Sequence, residues 1–172
     1  MDLNMKKRMI KFLIIFLLIQ TNDMTSEPIY KDKNLSIFPL NDMETQQLND
    51  LRAMTLKFCK EKLNKEIKFP ISLEDLQLAT NHLNKNTDPN ITYGIGVIIG
   101  DILVQKHNMK WLAVEDEYGR DPVIFVDRTL YYIGTLTLIS KRIEDGEKID
   151  IKYLISQIED HMKKNFKQYK TY

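Results

Sequence analysis

Residues 111–126 read W-L-A-V-E-D-E-Y-G-R-D-P-V-I-F-V. Two short apolar runs, 111–114 and 123–126, flank a polar segment that contains Gly119. Apolar runs on either side of a polar, glycine-containing turn are typical of an antiparallel β-hairpin. Residues 129–133 are again rich in β-branched and aromatic side chains and predict a third strand. This part of the chain therefore predicts a β-meander of two or three strands.

Two helices are predicted some way before the hairpin. Asn41 or Asp42 can cap the first, which carries apolar residues at helical spacing as far as about Glu66. Ser72 is a typical first residue for the second helix, and it is followed by apolar residues on one face. Residues 84–90, which include Asp88-Pro89, indicate a break in regular structure.

The segment 91–105 mixes glycines with β-branched residues, so its local propensity is ambiguous. Fifteen residues without a turn signal exceed the length of an ordinary strand. The apolar residues repeat at helical spacing, in a stripe formed by Ile91, Ile95, Ile98 and Ile102. We therefore predict a buried helix whose glycines allow close approach of another backbone.

Two more helices are predicted after the meander. The first covers residues 135–144 and is closed by Asp145-Gly146, and the second is capped by Asp150. The order is thus helices, a β-meander, then helices. Such segregation favours an α+β domain in which helices pack on one face of a small antiparallel sheet.

The first 26 residues have the plan of a secretory signal peptide. Four basic residues precede the apolar run 12–19, which is too short to span a bilayer. We accordingly predict a signal peptide (1–26), an irregular lead-in (27–40) and a single α+β domain (41–172), in a periplasmic or secreted protein. Since residues 20–26 offer no clean cleavage site, an uncleaved leader that anchors the protein in the membrane through residues 9–19 stays open.

Composition limits the possible function classes. The formal net charge is +1, and the leader accounts for the positive balance, so the strong basic excess of a nucleic-acid binder is missing. Cys59 is the single cysteine, which excludes an intramolecular disulfide. Its apolar neighbours indicate a buried small hydrophobe rather than a reactive thiol.

No arrangement of residues predicts catalysis, a metal site or a cofactor. His82, His107 and His161 are far apart and lack a helical partner at metal-ligand spacing. The glycines of 94–100 lack the lysine and hydroxyl ending of a phosphate-binding loop. We therefore expect a protein that is not an enzyme and that carries no cofactor.

The polar end of the hairpin is the most informative surface. Its residues combine three carboxylates with an aromatic ring and a guanidinium, which are Glu115, Asp116, Glu117, Tyr118 and Arg120. Acidic groups can steer a basic partner, and Tyr and Arg are common interface anchors. The plainer interpretation is a solvated turn that keeps the protein soluble.

The order of motifs along the chain is also informative. Gly94-x-Gly96-x-x-x-Gly100-Asp101 is followed by Trp111, by Glu115-Asp-Glu-Tyr-Gly-Arg-Asp-Pro122 and by Lys141-Arg142-x-Glu144-Asp-Gly146-Glu147, then Ile149-Asp150. This order resembles the bacterial DUF3806 family, a domain without an assigned activity, over about residues 73–158. Ile133-Gly134-Thr135 departs from the aromatic-Pro step of that family. The resemblance implies an α+β fold and supplies no catalytic residues.

Structural roles follow for two of these residues. We expect Trp111 to pack against the glycine-rich helix, where Gly96 or Gly100 leaves room for the indole. We expect Arg142 to reach Asp101 or Asp127 as an ion pair.

Three functional hypotheses remain. The first is an exported, non-catalytic domain that binds another protein through the hairpin end, in the manner of an immunity protein that blocks a toxin or effector in the periplasm. The second is a small-ligand binder or enzyme with a pocket beside the glycine-rich helix, lined by Asp101, Tyr132 and Arg142. The third is a membrane-anchored envelope component.

Overall fold

The computed structural model describes residues 27–31, 33–126 and 129–165. The predicted leader and its anchor segment lie outside these residues. Within them, five strands form one antiparallel sheet in chain order. The strands are β1 (Tyr30–Lys31), β2 (Ser36–Phe38), β3 (Met109–Asp116), β4 (Gly119–Val126) and β5 (Tyr132–Ile133).

Five helices complete the described part of the chain, and the α+β class is confirmed. They are α1 (Asp42–Leu63), α2 (Leu73–Thr80), α3 (Pro89–His107), α4 (Leu138–Asp145) and α5 (Ile151–Asn165). In the described ranges no helix is both long enough and apolar enough to cross a membrane.

The sheet is larger than the predicted two or three strands, because the lead-in contributes two of its own. Ile37 of β2 pairs with Val114 of β3 and is fully buried, and Tyr30 of β1 pairs with Ile37. These strands have two and three residues, which is too short for an alternating pattern to be visible in the sequence. β2 is held extended by its pairing with β3, far along the chain, and β1 by its pairing with β2.

The helices begin and end at residues that cap them. Asn41 and Glu44 form a reciprocal capping box at the start of α1, with each side chain accepting from the backbone of the other. Asp88 accepts from the Asn90 amide at 2.9 Å at the start of α3, where Pro89 suits the first helical position. Asn108 ends α3 with a left-handed backbone, φ 51°.

The segment 91–105 is helical as predicted, and α3 is the central helix of the core. Gly94 lies directly on the backbone of α1 at Leu51, and Gly100 faces the indole of Trp111. The expected packing of Trp111 against this helix is therefore confirmed, at Gly100. The main apolar cluster joins α3 to Ile124 of the sheet and to α5, while a smaller cluster around Phe125 covers the opposite face of the sheet.

Candidate functional site

The end of the β3–β4 hairpin projects a single aromatic side chain into solvent. Asp116 pairs with Gly119, so Glu117 and Tyr118 alone form the turn. The Tyr118 amide donates to Asp116 Oδ1 at 2.8 Å, and Gly119 has φ +131°, a conformation that favours glycine. Tyr118 is 88% exposed, the largest exposed fraction among the well-exposed apolar residues. The short, hydrogen-bonded turn therefore fixes the backbone from which this ring projects.

Arg120 braces the hairpin end against the body of the protein. Its Nε donates to Glu44 Oε1 at 2.6 Å, and its Nη2 donates to Glu44 Oε2 at 3.1 Å and to the Pro39 carbonyl at 3.2 Å. The guanidinium also lies 4.5 Å from the centre of the Phe38 ring. Arg120, a predicted partner-binding residue, thus contacts β2 and the start of α1 within its own chain.

The same hairpin end is acidic. Glu115 and Glu117 are exposed, and Asp116 is half-buried. Glu115 Oε2 is 3.9 Å from Arg120 Nη1, and this cation partly balances the charge of the Glu115 carboxylate. The pKa of Asp121 is raised by partial burial and by the nearby charge of Asp116. The predicted group of hairpin residues is brought together here, with Tyr118 and Glu117 as its outermost members.

Glu44 connects this end to α1, because one carboxylate both closes the capping box and binds Arg120. We predict that Glu44→Ala lowers the free energy of unfolding by about 1–2 kcal/mol, since it removes a cap contact and a half-buried ion pair. Glu44→Gln should lose less, because the amide oxygen can still accept from Asn41. Urea unfolding measures both; equal stability of Glu44→Ala and the parent protein would contradict this role.

A second polar cluster lies where α1, α3 and β3 meet. Asp101 accepts from Arg52 Nε and Nη2, both at 2.7 Å, and from Trp111 Nε1 at 2.9 Å. The side chains of Asp101 and Arg52 are 13% and 21% exposed. Asp101 is therefore occupied by Arg52, and the expected pairing with Arg142 is wrong. Asp127, the other expected partner of Arg142, lies outside the described residues.

Tyr132 and Arg142 line one cleft, between β5, α4 and α5, whereas Asp101 is not part of it. The cleft has a volume of about 370 Å³. Arg142 Nη1 donates to the Leu138 carbonyl at 2.8 Å, and its Nε is 3.8 Å from Glu147. Tyr131 is buried and Tyr132 is 38% exposed, as the alternation of a strand predicts. The structure thus brings together two of the three residues of the pocket hypothesis.

Titratable groups elsewhere have structural partners. Burial, and secondarily the charge of Asp75, raises the pKa of the Cys59 thiol to about 11, which suits a core residue. His107 contacts Glu159 at 2.9 Å, and hydrogen bonds from Lys106 and then His107 lower the pKa of that carboxyl. Across the described ranges, no three His, Cys, Asp or Glu side chains are grouped so as to hold a metal ion.

Sequence reasoning missed four residues of these sites, namely Glu44, Arg52, Gln157 and His161. Glu44 lies in the first turn of the helix predicted after Asn41, but its contact with Arg120 spans 76 positions. Arg52 lies on α1 among other polar residues, and nothing local indicates that it faces Asp101. Gln157 and His161 line the cleft only because α5 packs beside β5. In each case the role of the residue depends on a contact between different elements, which no short sequence pattern indicates.

Comparison with known proteins supports the fold and leaves the activity unassigned. Residues 74–154 match the model of DUF3806, described as a domain of unknown function, which confirms the resemblance seen in the sequence. A crystal structure from Bacteroides thetaiotaomicron VPI-5482 has a TM-score of 0.63 and 18% identity, over 76% of this chain and 49% of that one. The present chain thus spans about half the length of that protein and shares its fold. No curated protein matches the chain significantly.

Proposed function

We propose that this chain, with its DUF3806 match, is a non-catalytic domain that binds another protein through the end of the β3–β4 hairpin. The observation that carries the proposal is Tyr118, an aromatic ring 88% exposed on a two-residue turn that Arg120 braces against Glu44. Aromatic side chains dominate the energetics of protein interfaces. A short, ordered turn fixes the backbone that carries the ring, so a partner need not order that backbone on binding.

The charges at the hairpin end support a basic partner surface. Glu117 and Glu115 are exposed beside Tyr118, and Asp116 adds a third carboxylate behind them. Carboxylates arranged around an anchor accelerate association with a cationic cleft and disfavour acidic partners. The contact we propose therefore places the Tyr118 ring in a pocket whose rim carries Lys or Arg side chains.

The partner we propose is a toxin or effector that acts in the periplasm, which makes this protein an immunity-type inhibitor. This part of the proposal rests on the sequence, namely the leader-like residues 1–26 and the lack of a catalytic motif. Cell fractionation, with the N-terminus of the recovered protein determined, tests the location. A periplasmic product that begins after about residue 26 would support it, and an intact N-terminus in the membrane fraction would favour the anchored alternative.

Affinity recovery from periplasmic extract, followed by titration of the purified partner, tests the interface. We expect Tyr118→Ala to weaken binding by at least about tenfold, as for an interface anchor. Glu117→Lys should slow association, and the effect should shrink at high salt. Tyr153→Ala is the matched control, because Tyr153 is also exposed but lies on α5.

Two outcomes would overturn this assignment. One is a partner whose affinity is unchanged by Tyr118→Ala while the protein stays folded, since the contact must then lie elsewhere. The other is the recovery of no stoichiometric partner by either the parent protein or Tyr153→Ala.

A further inference from the structure

The cleft between β5, α4 and α5 combines apolar side chains with the guanidinium of Arg142. Its apolar lining includes Ile133, Leu138, Leu154 and Ile158. Its volume of about 370 Å³ is near the lower end of the range for small-molecule sites. The cleft is open to solvent at Gly134 and Gln157, both exposed. The apolar part of this lining suits a ligand that carries an apolar group.

The polar groups of the cleft are cationic or can donate hydrogen bonds. Arg142 is permanently charged, and Gln157, His161 and two tyrosines complete the polar lining. Ten of the described residues line the cleft, and none of these ten is an acid. Within the described residues Arg142 pairs with Glu147, whose side chain is 58% exposed and whose Oε2 is 3.8 Å from Arg142 Nε, a long and solvated contact.

Arg142 is held in place by its own helix. Its Nη1 donates to the Leu138 carbonyl at 2.8 Å, one turn earlier on α4, so the guanidinium stays beside the apolar lining. The rings of Tyr131, the residue before β5, and of His161 on α5 are inclined by 28°, and their centres are 6.2 Å apart at the cleft. The site is thus formed by ordered secondary structure and not by a loose surface loop.

We propose that this cleft binds a small carboxylate with an apolar body, with the carboxylate at Arg142 and the body against Leu138, Leu154 and Ile158. Charge complementarity favours this ligand class, because an amine of the same shape would meet Arg142 and find no acid among the described lining residues. The site is on a different surface element from the β3–β4 hairpin end, and it does not depend on the protein-binding function proposed above.

Calorimetric titration of the full chain with three eight-carbon probes tests the proposal. We expect octanoate to bind, and octanol and octylamine to bind at least about tenfold more weakly, since they lack the anion. Arg142→Gln should remove this preference for the anion. Ligand-induced changes in amide NMR signals should fall on β5, α4 and α5.

Gln157 allows a test that changes charge at an exposed position while the side-chain size is nearly kept. We expect Gln157→Glu to weaken octanoate binding by about fivefold and Gln157→Lys to strengthen it, as for one charge several ångströms away in a partly solvated site. Lys57→Gln is the control, because Lys57 is exposed and lines a different surface depression at the end of α1.

Three results would overturn the proposal. They are the lack of octanoate binding up to its solubility, equal binding of octylamine and octanoate, and equal effects of Gln157→Glu and Gln157→Lys. A fourth contradicting result would be NMR changes at Lys57 and none at the cleft, because octanoate would then bind a different surface.

Discussion

Gly96→Ala is expected to lower the free energy of unfolding by about 2 kcal/mol or more, although alanine is the better helix former by about 1 kcal/mol. A Cβ at position 96 would overlap the Thr135 carbonyl oxygen and lie 2.8 Å from the Leu136 carbonyl oxygen and 2.9 Å from the Leu136 Cα. These are backbone atoms, so no side chain can rotate to make room.

The Thr135 carbonyl cannot retreat cheaply, because it has a second role. It accepts from the Leu138 amide at 3.2 Å and so forms part of the turn that starts α4. Thr135 itself is fully buried. Moving this segment away from α3 would therefore disturb both the core and the start of the next helix.

Urea unfolding measured by circular dichroism tests the prediction, with Gly134→Ala as the control. A Cβ at Gly134 meets nothing within 4 Å, and its backbone is not in the left-handed region. That variant should unfold within about 0.5 kcal/mol of the parent protein or be slightly more stable. If Gly96→Ala were as stable as Gly134→Ala, the close approach of α3 to residues 135–136 would be wrong.

Asp101→Ala is expected to cost about 2–3 kcal/mol of unfolding free energy. It would leave the Arg52 guanidinium without its counter-charge and the Trp111 indole N–H without its acceptor. Breaking a fully buried ion pair costs about 3–5 kcal/mol, and the partial exposure of Arg52 reduces that figure. Asp101→Asn should cost less, since an amide oxygen can still accept from one of the two donors.

A double-mutant cycle with Arg52→Met separates the pair from the rest of the cluster. We expect Arg52→Met to be less harmful in the Asp101→Ala background than in the parent protein. Asp50→Ala, an exposed acid on the same helix as Arg52, is the control and should change stability by less than about 0.5 kcal/mol. Strictly additive effects of Asp101→Ala and Arg52→Met would contradict a direct interaction.

The elements with a long periodic pattern could be predicted from the sequence. The helical stripe of 91–105 outweighed its glycines, and the β3–β4 hairpin followed from its apolar runs and turn. The number of strands in the sheet could not be predicted in this way, because β1 and β2 have too few residues to show a period. β2 depends on pairing with β3, and β1 depends on pairing with β2. Short strands are determined by their neighbours in space, and these neighbours are distant in sequence.

The candidate sites also differ in whether their residues are close in sequence or only in the folded structure. The hairpin residues 115–120 are contiguous, so a local pattern was enough to bring them together. Tyr132 and Arg142 do share a cleft, but Asp101 does not, since its carboxylate is bound by Arg52. Ion pairs such as Arg52 with Asp101, or Arg120 with Glu44, join different elements, and many other pairings were chemically equivalent in the sequence.

The short outer strands have a consequence for self-association. An exposed strand edge is a template on which another chain can add, and long edges favour aggregation. Here β1 and β5 have only two residues each, and Pro122 removes a backbone donor from β4 at a position that β5 does not reach. The two outermost strands therefore offer another chain little backbone on which to add a strand.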